Sequence, residues 1–203
     1  DTRSVFGDYI HTYYYDKSIA DGYTLRLMRE AIESNYQIAL QEVLAKIEVE
    51  KGKVSTKEIY AHHAFVKPML AYIVRDCEKS RTTLNDNTSG GMVICDSSEQ
   101  AKEMFAQFQA NSALPSVAEA PASYSTGVPL ANKAKTAALI LHDIGSKEER
   151  DTWVEDFKAG HIDLLFVYNM LLTGFDAKRL KKLYLGRVIR DHNLLQALTR
   201  VNR

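Results

Sequence analysis

At 203 residues the chain has room for one domain with a substantial core and a helical elaboration, and too little for several domains. Lys and Arg number 26 against 26 Asp and Glu, so global charge does not argue for a nucleic-acid partner. No apolar run approaches the roughly 18 residues of a membrane span, DTRSVFGDYI is no signal peptide, and a soluble, cytoplasmic protein is expected.

From the start, the segment Phe6 to Arg29 is rich in tyrosine and ends in YTLRLM, an alternating stretch that predicts a strand after the Asp21-Gly22 turn. Glu33 to about Lys51 has helical periodicity, with Ile38, Val43, Leu44 and Ile47 on one stripe and Gly52 closing it. Ser55 and Glu58 have capping-box spacing and predict a second long helix running to about Ser80. LNDNTSGG, from Leu84 to Gly91, reads as a polar linker.

After Gly91 the rhythm changes. GMVIC predicts a buried strand and SSEQAKEMFAQFQ a helix capped by Ser97 or Ser98. Leu114 to Lys135 carries three prolines and predicts a loop with a short strand near Ser123. AALILH, DLLFVY and KKLYLGR predict three more strands, with the helix SKEERDTWVEDFKAG after the first and a helix over Asn193 to Arg203 at the end. Strands alternating with helices of about 12 residues mean βαβ units and a parallel sheet covered on both faces. The expected organisation is 1–32 as linker and first strand, 33–84 as a helical insertion or lid, and 85–203 as an α/β core.

Charge is unevenly spread. From Thr173 onward there are eight basic residues against Asp176 and Asp191, an excess that suits a phosphate-bearing partner or a solvated basic face. Within it, QALTRVNR places Gln196, Arg200 and Arg203 at offsets of four and seven, hence on one helical face, with Leu194, Leu198 and Val201 on the opposite one. Such a face is either solvated or aimed at something anionic.

Absences narrow the chemistry. There is no GxxxxGK[ST], so the chain cannot cradle a nucleoside triphosphate by itself, and no GxGxxG, HExxH, GxSxG or ExK occurs. Cys77 and Cys95 lack any CxxC or Cys/His company and read as buried thiols in a reducing compartment. His62 and His63 are adjacent and diverge on a helix, which argues against a metal site. His142-Asp143 at a strand end is either a catalytic pair or a histidine held by a local hydrogen bond. YNMLLTGFDA follows a buried strand, and strand C-termini are where open α/β sheets bind ligands. There Gly174 lets the backbone approach closely, and Asp176 either accepts from a sugar hydroxyl or caps a turn.

The order of GMVICDSSEQAKEMF, EERDTWVEDFKAGHIDLLFVYNMLLTGFDA and DHNLLQALTRVNR resembles the second RecA-like motor domain of superfamily 2 helicases. ICDSS matches motif IV, YNMLLTGFDA motif V, and QALTRVNR motif VI (Q-x-x-G-R-x-x-R). LLTGFDAKRLKKLYLGRVIRDHNLLQALTRVNR most resembles the R (motor and endonuclease) subunit of type I restriction enzymes, and TRSVFGDYIHTYYYDKSIADGYTLRL resembles the segment beyond motif III in those subunits. Two positions depart from the pattern: Thr199 stands where many helicases have glycine, and Lys178 where proline is frequent.

The resemblance implies an α/β fold with a RecA-like parallel sheet, helices on both faces and a helical insertion near the N-terminus. It implies that Arg200 and Arg203 contact the γ-phosphate of ATP, with Arg203 as the finger and Gln196 orienting the attacking water or a phosphate oxygen. Gly174 and Asp176 would meet the ribose, while Ser97, Ser98 and Thr173 would grip DNA phosphates, which carry no sequence information. ATP and Mg2+ would be held mainly by a first motor domain outside this chain, leaving the piece by itself without a cofactor and inactive. The chain starts without methionine and stops in a helical pattern, so an excised piece of a longer protein is expected. Its partners by resemblance are double-stranded DNA, the first motor domain and nuclease domain of the same chain, and the methyltransferase and specificity subunits; no membrane and no metal ligand set is implied. Two other readings stand beside this one: a non-hydrolytic RecA-like module that docks on DNA or protein, and an unrelated doubly wound domain with surface arginines.

Overall fold

A computed structural model describes residues 15–21, 38, 41–47, 55–113, 133–171 and 175–186. Its elements are α1 (Tyr15–Ala20), α2 (Thr56–Ala61), α3 (His63–Leu84), β1 (Gly90–Ile94), α4 (Ser98–Ala113), β2 (Ala137–Ile140), α5 (Lys147–Ala159), β3 (Leu164–Val167) and β4 (Leu180–Leu185). Residues 41–47 are also helical. The expected strand YTLRLM, the short strand near Ser123 and the helix Asn193 to Arg203 lie outside the described residues.

The four strands form one parallel sheet in the order β2-β3-β1-β4. Successive side chains of a strand point to opposite faces, and each face has its own core. Val93, Cys95, Leu139, Leu164 and Phe166 pack on one side with Val66, Leu70 and Ile73 of α3 and Met104 and Phe108 of α4. Met92, Ile94, Ile140, Leu165 and Val167 pack on the other with Phe157 of α5 and with Phe175, Ala177 and Leu180. The sheet is thus an α/β layer covered on both faces, consistent with a RecA-like fold.

The connections obey one hand. From β1 to β2 the chain moves toward one edge through α4, on the first face. From β2 to β3 and from β3 to β4 it moves back through α5 and the 175–177 segment, on the second face. Reversing both direction and face keeps the crossovers of a single hand, and the strand twist favours the right-handed one.

Two local differences from the sequence expectation have physical causes. The long helix begun by the Ser55–Glu58 capping box is two helices, because His62 is extended (φ −68°, ψ 136°). Its ring accepts from Ala64 N at 3.3 Å, so one residue ends α2 and caps α3. Pro68 has no N–H to continue a helical ladder; the break leaves it in the second turn of α3 rather than deep inside one long helix. The bend lets Ile47, Ile59 and Phe65 form a small cluster of their own. The LNDNTSGG stretch is a tight turn: Asn85 is left-handed (φ 50°), and Asp86 Oδ1 accepts from Thr88 N and Oγ1 at 2.9 and 2.6 Å. That turn returns the chain from α3 straight into β1, so α3 is a covering layer of the sheet and shares its core.

Gly90 is required by close approach. A β-carbon there would stand 2.6 Å from Cζ of Phe157, and the strand register shifts between Gly90 and Gly91 against β4.

Candidate nucleic-acid interface

Adjacent strands whose connections leave to opposite faces open a crevice at their carboxyl ends. β1 and β3 are such a pair: α4 departs to one face and the segment after β3 to the other. Cys95 N donates to Val167 O at 2.8 Å, so the two exits are bonded side by side at that crevice. The expected motif IV residues 96–98 and the described part of motif V, 168–171, therefore meet on one edge.

On the β1 side, Ser97 is 3 % exposed, and its Oγ accepts from Gln100 N at 3.1 Å, capping α4. Ser98 is half-buried, and its hydroxyl donates to Glu99 Oε1 at 3.1 Å. The Glu99 carboxyl is held below the usual carboxylate range by its own backbone N–H and by that hydroxyl. Asp96 N donates to Gln100 Oε1 at 2.7 Å, so the turn is bonded at both the hydroxyl and the amide.

On the β3 side, Asn169 and Leu171 have φ of 53° and 60°. Left-handed backbone is unfavourable for leucine and clusters at functional turns. Thr173 and Gly174 lie outside the described residues, as do Gln196, Arg200 and Arg203. Phe175 and Ala177 are buried, the Phe175 ring lying tilted at 5.9 Å from that of Phe157, and between them Asp176 is exposed. Anchoring of Phe175 and Ala177 in the core leaves Asp176 between them at the surface.

The exit of β2 completes the edge. The Asp143 carboxylate pairs with Lys102 of α4 at 2.8 Å, which holds it below its usual range. Arg150 Nη1 donates to the carbonyls of His142, Ile144 and Gly145 and ties that loop to α5. Asp143 thus serves a cross-loop ion pair. His63 faces Glu103 at 2.9 Å, whereas His62 caps its own helix, so the two adjacent rings do separate jobs. Among the described residues no group of three or more His, Cys, Asp or Glu is placed to hold a metal ion, and no described helix is long and apolar enough to cross a membrane.

Sequence reasoning did not single out Gln100 or Lys102. Ser97-x-x-Gln100 has capping-box spacing, and that signal was available. The Lys102–Asp143 pair joins positions 41 apart and has no local signature.

Residues 96–203 match the family described as Type I restriction enzyme subunit R domain 3. The chain belongs to this family. Over its whole length it is 28% identical to the putative type I restriction enzyme MjaIXP endonuclease subunit of Methanocaldococcus jannaschii. It is 24% identical to the type I restriction enzyme HindI endonuclease subunit of Haemophilus influenzae, again over the whole chain. A segment covering 23% of the chain and 5% of the relative is 50% identical to the SauCOLORF180P endonuclease subunit of Staphylococcus aureus. The chain spans 20% of the length of each of the first two relatives. It is a helicase-like domain of an R subunit.

Proposed function

We propose that this R-subunit domain is the second motor domain of an ATP-dependent DNA translocase within a type I restriction endonuclease. The observation that carries the reading is the bonded pair of exits, Cys95 to Val167, which brings residues 96–98 and 168–171 to one crevice of a parallel sheet. Neighbouring backbone amides and hydroxyls on such an edge suit phosphate oxygens, which recur identically along any DNA. Ser97, Ser98 and Thr173 are the proposed grip; for Ser97 the backbone is the available part, since its hydroxyl caps α4.

The ATP site is shared between two lobes in this reading. ATP and Mg2+ sit mainly on a first motor domain elsewhere in the parent protein, because the present sequence has no phosphate-cradling GxxxxGK[ST] loop. Arg200 and Arg203 supply planar guanidinium groups to the charge that spreads over the transferring phosphoryl group, and Arg203 is the finger. Gln196 orients water or a phosphate oxygen, and Gly174 and Asp176 meet the ribose and couple it to the DNA grip. The exposed position of Asp176 is compatible with that role. The partners are double-stranded DNA, the first motor and nuclease domains of the parent chain, and the methyltransferase and specificity subunits.

The decisive experiment uses the full-length R subunit. Arg203→Ala is expected to lower DNA-stimulated ATP hydrolysis by about 10³-fold or more, the order seen for arginine fingers, with an unchanged thermal midpoint. Hydrolysis near the wild-type rate removes Arg203 from the finger role. Turnover by the isolated 203-residue chain would contradict the two-lobe site.

A further inference from the structure

Gln100 is a wholly buried polar side chain, 0 % exposed, three residues after the Ser97 cap in the first turn of α4. Its carboxamide bonds two other parts of the molecule. Oε1 accepts from Asp96 N at 2.7 Å, in the turn leaving β1. Nε2 donates to Tyr60 O at 3.0 Å, at the end of α2, and lies 4.0 Å from Met69 Sδ of α3. A third segment passes close to the same atoms. Gly186, which follows β4 and donates to Ile94 O at 2.8 Å, leaves no room for a side chain: its β-carbon would stand 3.2 Å from Gln100 Oε1 and 3.1 Å from Met69 Cε. From Gly186 the sequence runs on to Gln196, Arg200 and Arg203.

A buried amide of this kind has a defined energetic consequence. Inside the protein, an unpaired backbone N–H is expensive, so the Asp96 amide stays where Gln100 can reach it. The 96–98 turn is therefore located by α2 as well as by its own strand, with Gly186 close alongside. We propose that Gln100 is a positioning residue of the DNA-gripping edge, locking the Asp96–Ser98 turn to the α2–α3 junction beside the Gly186 exit of β4. This rests on the reading of that edge as the phosphate grip. Gln100 itself touches no substrate; it fixes the height and tilt of groups that do. Tyr60 O is the other end of the lock, and Gly186 packs beside it.

The test is DNA-stimulated ATP hydrolysis by the full-length subunit, titrated with double-stranded DNA. Gln100→Met keeps length and volume and removes both hydrogen bonds. It is expected to raise the half-saturating DNA concentration about tenfold, the equivalent of one lost buried hydrogen bond, with the effect falling there rather than on turnover at saturating DNA. Ile73→Val, in the core beneath α3, controls for stability: it lowers the thermal midpoint without moving the DNA titration. Gln100→Leu also lacks both hydrogen bonds, is expected to shift the titration in the same direction, and stands in if Gln100→Met does not fold. Ser98→Ala with Thr173→Ala tests the underlying grip separately. If that pair shifts the titration and neither Gln100 variant does, the positioning role is overturned while the grip survives. An equal shift from Ile73→Val also overturns it, since loss of stability would then suffice. If the Ser98/Thr173 pair and the Gln100 variants all leave the titration unmoved, both the grip and the lock are wrong.

Discussion

Arg81 and Asp163 are 82 positions apart and meet at 2.5 Å between Nη2 and Oδ1. Arg81 is 1 % exposed and also donates to the carbonyls of Ser89 and Lys133. Asp163 Oδ2 accepts from the amides of Lys135 and Thr136. One ion pair thus fastens the end of α3 and the starts of β1, β2 and β3, at the edge of the sheet opposite the crevice.

Removing Arg81 takes away the nearest counter-charge of Asp163 and leaves it the Lys135 and Thr136 amides and Arg179 at 3.9 Å. Arg81→Met is expected to cost about 3–5 kcal/mol, the range for breaking a buried pair, and adding Asp163→Leu is expected to recover little, because leucine offers those amides no acceptor. Urea unfolding midpoints of the two variants decide it; a double variant close to wild type would mean that the uncompensated carboxylate alone sets the cost.

The same pair predicts an acid response. Burial pushes the Asp163 carboxyl up, but the Arg81 hydrogen bond and the amides of Lys135 and Thr136 outweigh it and leave it below its usual range. A carboxyl lowered by folding adds stability above its unfolded pKa, about 3.9, and loses it as pH falls through the folded value. The stability difference between wild type and Asp163→Asn should therefore be constant above about pH 5 and narrow below about pH 4. A difference that is flat through that acid window would show the carboxylate's charge to be irrelevant.

Gly90 and Phe157 form a second testable contact. With Phe157 Cζ 2.6 Å from the position of an added β-carbon, Gly90→Ala must displace the ring, at a cost of about 1–3 kcal/mol for overpacking. Phe157→Leu frees that space, so the double variant should be more stable than the two separate losses predict, by the coupling that a double-mutant cycle reads. Strict additivity would place the ring elsewhere.

Cys77 reports on the same core. Burial raises its thiol to about 11, with Arg81 pulling it down only partly, and it is the thiolate that reacts. In the folded protein Cys77 should resist an aromatic disulfide reagent from pH 7 to 9 and react on adding denaturant, followed by absorbance and by mass mapping of the labelled site. Rapid native-state labelling at Cys77 would mean that α3 opens from the sheet.

Much of this architecture was legible beforehand, for reasons that are local. GMVIC, AALILH, DLLFVY and KKLYLGR are strands because short β-branched and aliphatic runs between turn signals fit a buried sheet. Ser55–Glu58 and Ser146–Glu149 both form the reciprocal capping bonds, the first as its spacing indicated. Gly160 ends α5 where expected. His62 misled because a helix-compatible histidine carries no sign that packing of Ile47, Ile59 and Phe65 will bend the chain there.

The candidate site divides the same way. Family membership and the order of its motifs are properties of the sequence by itself, since they need only residue types at fixed spacings. Ser97 was one of the two cap candidates the sequence offered, but tertiary structure alone decided that the β1 and β3 exits lie side by side and that Gln100 reaches Tyr60 and lies beside Gly186. These are contacts between segments brought together by strand order and crossover hand. A side chain's partner across such a distance follows from the geometry of the whole sheet, which no short window of residues encodes.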